Sequence, residues 1–202
     1  MATTVTAPTH VPARGRRADI LDAALLVFTR RGYHRATIEE IRAVSGASTG
    51  SIYHHFGGKE ELAAALYVEG LGDYQRRFLA VVEAAGDAER TVKAIVWNHL
   101  DWVADNPSMA RYLLSSREAE VVRATERELR AMNRTVIEAT RGWLAQAKEA
   151  GELRAMPAQL FSAVVIGPSQ EFARRWLARR DREAFAVARS ELAEAAWRAV
   201  RA

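Results

Sequence analysis

The sequence predicts an all-α chain of about nine helices, an N-terminal unit of three short ones followed by a longer helical remainder. Three observations predict it. Apolar residues recur at spacings of three and four along most of the 202 residues. Only five prolines and twelve glycines interrupt the chain, and the residues that dominate it, Ala, Leu, Arg and Glu, are good helix formers. Runs of alternating β-branched residues are nearly absent, so no sheet is expected. At 49% hydrophobic, the chain can bury one or two small cores.

The opening "MATTVTAPTHVPARGRR" has no apolar h-region, so it does not read as a secretory signal. Residues 1–15 read as a disordered basic tail, with Arg14, Arg16 and Arg17 forming a patch at its end. From Ala18 the pattern turns helical: Ile20, Leu21, Ala24, Leu25 and Phe28 share one face. Gly32, after Arg30 and Arg31, stops that helix with favourable charges in its last turn. Thr37 and Glu40 have the spacing of a capping box, so the second helix starts at Thr37 with Ile38 and Ile41 facing inward. Ser45-Gly46 ends it, and Ser48 caps a brief third helix whose buried side is Ile52 and Phe56 and whose stop is Gly57-Gly58.

Lys59 opens a longer helix through Leu62, Leu66 and Leu71 to the neighbourhood of Ala85. Asp87 caps the next, which carries Val92, Ile95, Val96, Leu100 and Val103. Asn106-Pro107 breaks it, and Pro107 suits the first position of a short helix reaching Ser115. A long helix runs from near Glu118 to Ala150 and stops at Gly151, with Gly142 inside it as a site for a bend. Pro157 opens a helix with Leu160, Phe161, Val164, Val165, Phe172 and Trp176, where Gly167-Pro168 is expected to kink or loosen the backbone. The last helix spans Arg182 to Arg201 with Phe185, Leu192 and Trp197.

Composition excludes several chemistries. With no cysteine there is no disulfide framework, thiolate zinc site or cysteine nucleophile. No apolar run approaches the ~20 residues of a membrane span. A net charge of +4 suits a polyanionic partner without demanding one. The adjacent His54 and His55 lack further residues at ligand spacing, so no metal is expected. No Ser/His/acid set or carboxylate pair can be placed, so neither an enzyme nor a cofactor is expected.

The stretch "SGASTGSIYHHFGGKEEL" carries little packing material. Three short helices with a glycine-containing turn between the second and third fit a helix-turn-helix, which offers its last helix to the major groove. The outer face of that helix is Ser48, Thr49, Ser51, His54 and His55, with Gly50 and Tyr53 among them. Small residues let the backbone approach base edges. Hydroxyls reach bases or phosphates, and a tyrosine offers its ring to a thymine methyl or its OH to a phosphate.

Residues 37–62, "TIEEIRAVSGASTGSIYHHFGGKEEL", resemble the DNA-binding signature of TetR/AcrR-family transcriptional regulators. The resemblance lies in Thr37, Ile38, Ile41, Gly46, Ser48, Gly50, Tyr53, His55, Phe56, Lys59 and Leu62, in order and spacing, and Phe28 and Gly32 of the first helix fit as well. It implies a DNA-binding domain over residues 16–62 and an effector-binding and dimerisation domain over 63–202. It implies base contacts from Thr49, Gly50 and His54, and phosphate contacts from Thr37, Ser48, Ser51, Tyr53 and His55, with Tyr53 also touching a base. Lys59 would join the N-terminal NH groups of its helix at a phosphate. Arg42 departs from the pattern, standing where many relatives carry a small residue packed on the third helix, so it must point outward or tilt the helix pair.

The resemblance further implies a bacterial, cytoplasmic, nucleoid-associated regulator, a repressor released from a palindromic operator by a small, largely apolar effector. It implies a homodimer, for which Val164, Val165, Phe172 and Trp176 on one helix and Phe185, Ala188, Leu192 and Ala196 on the next offer apolar faces. Bulky residues of the middle helices, Trp97, Trp102, Met109, Tyr112, Met132, Trp143 and Phe161, are the candidates for an effector pocket, and Asp101 and Asp105 the candidates for meeting a cationic ligand. Two other readings compete: a helical small-molecule binder whose head no longer reads DNA, supported by Arg42, and an enzyme.

Overall fold

A computed structural model describes residues 15–84, 86–115 and 119–202. The tail assigned to residues 1–15 lies outside them except for Gly15, as do Ala85 and Glu118. The described residues form nine helices: α1 (Arg16–Arg31), α2 (Ile38–Ser45), α3 (Thr49–Phe56), α4 (Lys59–Glu83), α5 (Ala88–Asp105), α6 (Pro107–Ser115), α7 (Ala119–Glu149), α8 (Ala158–Arg179) and α9 (Arg182–Val200). The only β pairing among them is a lone bridge between Leu153 and Arg201, which ties the α7–α8 connection to the C-terminal residues.

Local chemistry accounts for most helix ends. Thr37 accepts from the Glu40 amide at 3.2 Å, and the Glu40 carboxylate accepts from the Thr37 amide at 3.1 Å, so the capping box is complete. Asp87 accepts from the Arg90 amide at 2.7 Å, and Asp181 from the Glu183 and Ala184 amides at 2.9 and 3.0 Å. Gly46 closes α2 at φ 65, a left-handed conformation that a side chain resists. α1 begins two residues ahead of the predicted Ala18, because Gly15 has no side chain with which to mark the start. α7 and α8 run unbroken through Gly142 and Pro168, and Pro168 lies exposed on α8.

Two cores share the chain. The first gathers Ile20, Leu21, Ala24 and Phe28 of α1, Ile38 and Ile41 of α2, Ile52 and Phe56 of α3, and Leu62, Ala63 and Leu66 of α4. Ile20, Ile41, Ile52 and Leu62 are fully buried there, each worth about 1.5–3 kcal/mol of apolar burial. The second joins the far end of α4, through Phe78 and Val82, to α5, α7, α8 and α9. α4 therefore serves both cores as one unbroken helix. α6 also spans them: Tyr112 is buried in the first core, Ala110 in the second, and Met109 and Leu113 pack against both. A Cβ at Gly70 would stand 2.3 Å from the Met109 sulfur, so glycine there makes room for the Met109 side chain between α4 and α6.

Candidate functional site

The turn from α2 to α3 places the sparse face. Ser48 is the N-cap of α3, accepting from the Ser51 amide at 3.1 Å. Ile52 and Phe56 hold one side of the helix in the first core. The opposite side is left outward: Ser48, Thr49, Gly50, Tyr53, His54 and His55 are exposed and Ser51 is half-buried. Tyr53, at 51% exposure, is among the largest apolar surfaces left uncovered. A Cβ added at Gly50 would meet no atom within 4 Å, so nothing in this chain requires a glycine there. Thr37, the N-cap of α2, is exposed as well.

The positions around it divide between anchoring and exposure. Arg42 is exposed while its neighbour Ile41 is buried, so the arginine points outward and α2 and α3 still pack together. Arg17 is not a loose basic residue, because it pairs with Glu69 and lies 5.2 Å over the Phe56 ring, tying α1 to α3 and α4. Lys59 does a different task from the phosphate contact expected of it. Its ammonium donates to the carbonyls of Tyr33, His34 and Ala36 at 3.1, 3.4 and 3.1 Å and sits 4.8 Å over the Tyr33 ring. Three donors meet three acceptors at a half-buried position, clamping the α1–α2 connection to the start of α4. Sequence spacing carries no sign of this clamp, since its acceptors are backbone atoms more than twenty residues away.

Comparison with known proteins identifies the unit. The family model "Bacterial regulatory proteins, tetR family" matches residues 20–66, which run from α1 into α4. The HTH-type transcriptional repressor Rv1474c of Mycobacterium tuberculosis is 33% identical over 132 residues, covering 60% of this chain and 67% of its own. The chain belongs to the tetR family of bacterial regulatory proteins. A second relative, the HTH-type transcriptional repressor KstR2 of Rhodococcus jostii, is 33% identical over 82 residues, covering 41% of this chain and 40% of its own length. The fold agrees with the solved structure of the transcriptional regulator FadR from Bacillus subtilis in complex with stearoyl-CoA. The TM-score is 0.74 at 19% identity, covering 89% of this chain and 96% of that one. TetR-family proteins are regulators and not enzymes.

In this tetR-family chain the helical remainder holds two adjoining, partly open cavities. One, of about 300 Å³, lies among α4, α5, α6 and α8, with Tyr67, Tyr74, His99, Trp102, Leu113 and Gln170 in its walls. The other, of about 380 Å³, lies among α4, α7 and α8, with Phe78, Val136, Phe161 and, toward solvent, Gln75, Arg141 and Gln159. Tyr74, Ser162 and Ile166 belong to the walls of both. The pocket candidates separate accordingly. Trp102 and Phe161 line the cavities. Trp97 does not: it packs under Arg189 at 5.2 Å and borders an open groove shared with Trp197 at the other side of α5. Tyr112 belongs to the first core, its ring stacked on Phe28 and its hydroxyl donated to the Ala63 carbonyl at 2.8 Å. Met109 fills the α4–α6 approach, Met132 reaches Gly72, and Trp143 supports Phe161 from behind at 5.6 Å. Asp101 and Asp105 do not await a cation: Arg189 grips Asp101 with two bonds of 2.7 Å, and Arg77 reaches Asp105 at 3.5 Å.

Two polar wall residues escaped the sequence reading. The Tyr74 hydroxyl and His99 Nδ1 lie 3.1 Å apart. Burial pushes the His99 imidazole down to about 4 and the Tyr74 phenol up, so both are neutral. The only signal that could have found them is a titratable residue at a core-facing position: His99 falls one turn from Ile95 and beside Leu100.

Of the interface candidates, Val165 and Trp176 are buried within the chain, at 1% and 8% exposure, and cannot meet a partner as they stand. Trp176 donates its indole NH to the Asp181 carbonyl at 2.7 Å and packs on Phe185. Val164, Phe172, Phe185 and Leu192 are half-buried, and Val187, unremarked in the sequence, is exposed on α9. Among the described residues no three His, Cys, Asp or Glu side chains gather as a metal site requires, and no helix is long and apolar enough to cross a membrane.

Proposed function

We propose that this chain is a homodimeric repressor that holds a palindromic operator through α3 of each subunit and releases it when a small, largely apolar effector fills the cavities between α4 and α8. The observation that carries the DNA reading is Gly50: a glycine with open space around it on an exposed helix face is explained by something outside the chain that comes close. In this reading Thr49, Gly50 and His54 meet bases, and Thr37, Ser48, Ser51, Tyr53 and His55 meet mainly phosphates. Residues 16–62 read DNA and residues 63–202 bind the effector and pair the subunits. With the Lys59 ammonium turned to carbonyls, the phosphate at the start of α4 would be met by the backbone NH groups of that helix, and exposed Arg42 would add a contact.

The effector reading is supported by the apolar cavity walls and by the solved FadR structure, which holds stearoyl-CoA. α6 supplies the connection. Its Ala110, Leu113 and Leu114 face the cavity, while Tyr112 grips Phe28 of α1 and Ala63 of α4. An effector that displaces α6 therefore moves the base of the reading head, and by linkage it binds the DNA-loaded protein more weakly. For pairing, the half-buried Val164, Phe172, Phe185 and Leu192 with exposed Val187 form the face offered to a second copy.

The test is a titration of DNA flanking the chain's own gene, wild type beside Tyr53→Ala. Tyr53 is half-exposed and off the core, so the variant should keep its melting temperature and lose tenfold or more in affinity, about 1.4 kcal/mol or more. Undiminished binding by Tyr53→Ala would show that α3 is not the reading helix.

A further inference from the structure

A wall residue of the cavity of about 300 Å³, His99, carries an unanswered and buried polar atom. His99 is 7% exposed and forms part of the wall, and its Nε2 has no hydrogen-bond partner among the described residues. Its other nitrogen, Nδ1, faces the Tyr74 hydroxyl at 3.1 Å. Two proton arrangements satisfy that contact. If Nδ1 carries the hydrogen and donates it, the tyrosine O–H is left without an acceptor and Nε2 becomes a second unanswered atom. If the tyrosine donates to Nδ1, only one group is left over, the Nε2–H. Buried polar groups are paired wherever they can be, so the second arrangement is the one the geometry favours, and Nε2 is a donor.

The surroundings fix what could answer it. No Lys, Arg, Asp or Glu stands in the chamber's wall, so a charged group brought there would find no counter-charge. The Trp102 indole NH is already donated to Asp73 at 2.8 Å and does not compete. Aromatic and aliphatic side chains make up most of the remainder: Tyr67, Leu71, Val103, Leu113 and Ile166.

We propose that His99 is the polar anchor of this cavity, donating its Nε2–H to a carbonyl, ester or ether oxygen in an uncharged and otherwise apolar part of the effector. The inference rests on reading the cavity as the effector pocket, and it narrows the part of the effector held there to an uncharged group with a buried acceptor. Tyr74 is a positioning residue: it accepts nothing from the ligand and fixes the tautomer of the histidine.

Benzophenone and diphenylmethane differ by one carbonyl and are the probes. Equilibrium dialysis against the full chain should show the ketone held about tenfold more tightly, the gain from pairing a stranded donor. In His99→Phe that preference should fall to near one while the hydrocarbon still binds. In Tyr74→Phe, which keeps the imidazole but frees its tautomer, it should shrink without vanishing. In the wild-type protein the imidazole Nε2 resonance should move with benzophenone and stay with diphenylmethane, a readout that needs no variant to fold. 4-Benzoylbenzoate should bind more weakly than the ketone, and tighter binding would overturn the uncharged class. Equal binding of ketone and hydrocarbon by the wild type, the same preference in His99→Phe, or no binding of either probe would overturn the anchor; equal binding is what a resident water on Nε2 predicts. Release of operator DNA is measured separately. A His99-dependent ketone preference with no effect on DNA would leave the anchor standing and remove the regulatory reading of the cavity.

Discussion

Gly50 and Lys59 show at the residue scale how one short segment divides its tasks. Gly50 stands in the first turn of α3 with open space where a side chain would be. Gly50→Ala should therefore leave the fold as stable or raise it by up to about 1 kcal/mol, the helix-propensity gain. It should still weaken operator binding, because in the proposed complex the added methyl group would stand where the bases come. A melting curve and a DNA titration on the same sample read both halves. Lys59 behaves in the opposite way. Its ammonium answers three carbonyls, so Lys59→Met, which keeps the stem, should cost about 1–3 kcal/mol of stability in chemical denaturation. DNA affinity per folded molecule should change little. A fall in affinity with unchanged stability would return Lys59 to the phosphate contact.

At the scale of elements, α4 and α5 meet through the Tyr74–His99 pair, and this pair gives the fold a pH dependence. The imidazole titrates near 6.5 in an unfolded chain and near 4 when buried. Between those values the unfolded chain binds the extra proton, so the stabilisation is complete above about pH 6.5 and is lost as pH falls toward 4. The loss is on the order of 3 kcal/mol at most, and denaturation midpoints at pH 7, 5.5 and 4.5 should follow it in the wild type and flatten in His99→Phe. The helices themselves were largely legible: Thr37, Ser48, Asp87, Gly46 and Gly151 mark their ends by local chemistry that needs no tertiary partner. What periodicity could not disclose is which core a face enters. Tyr112 and Trp102 look alike as bulky residues on neighbouring helices, yet one enters the first core and the other the cavity wall. Val165 and Trp176 likewise looked available for pairing, and the chain buries them itself. The reading face of α3 was the most legible part of the candidate site, because an exposed run of small and polar residues between two buried anchors is a local pattern. The Lys59 clamp was the least legible, because its acceptors are backbone carbonyls.

At the scale of the whole molecule, two shared helices join the proposed reading head to the cavities and the proposed pairing face. α4 is continuous from the first core to the second, and α6 touches both, so no flexible linker separates DNA contact from cavity. One subunit offers one α3 and could hold only half a site. In the proposed dimer two copies bring two such helices to one duplex, as two-fold symmetry requires. Hydroxyl-radical footprinting of the DNA beside the chain's own gene tests this directly. Two protected stretches of inverted sequence, centred ~34 Å or a multiple of that apart, are expected, both lost with Tyr53→Ala. A single protected stretch, or uniform protection without regard to sequence, would contradict it.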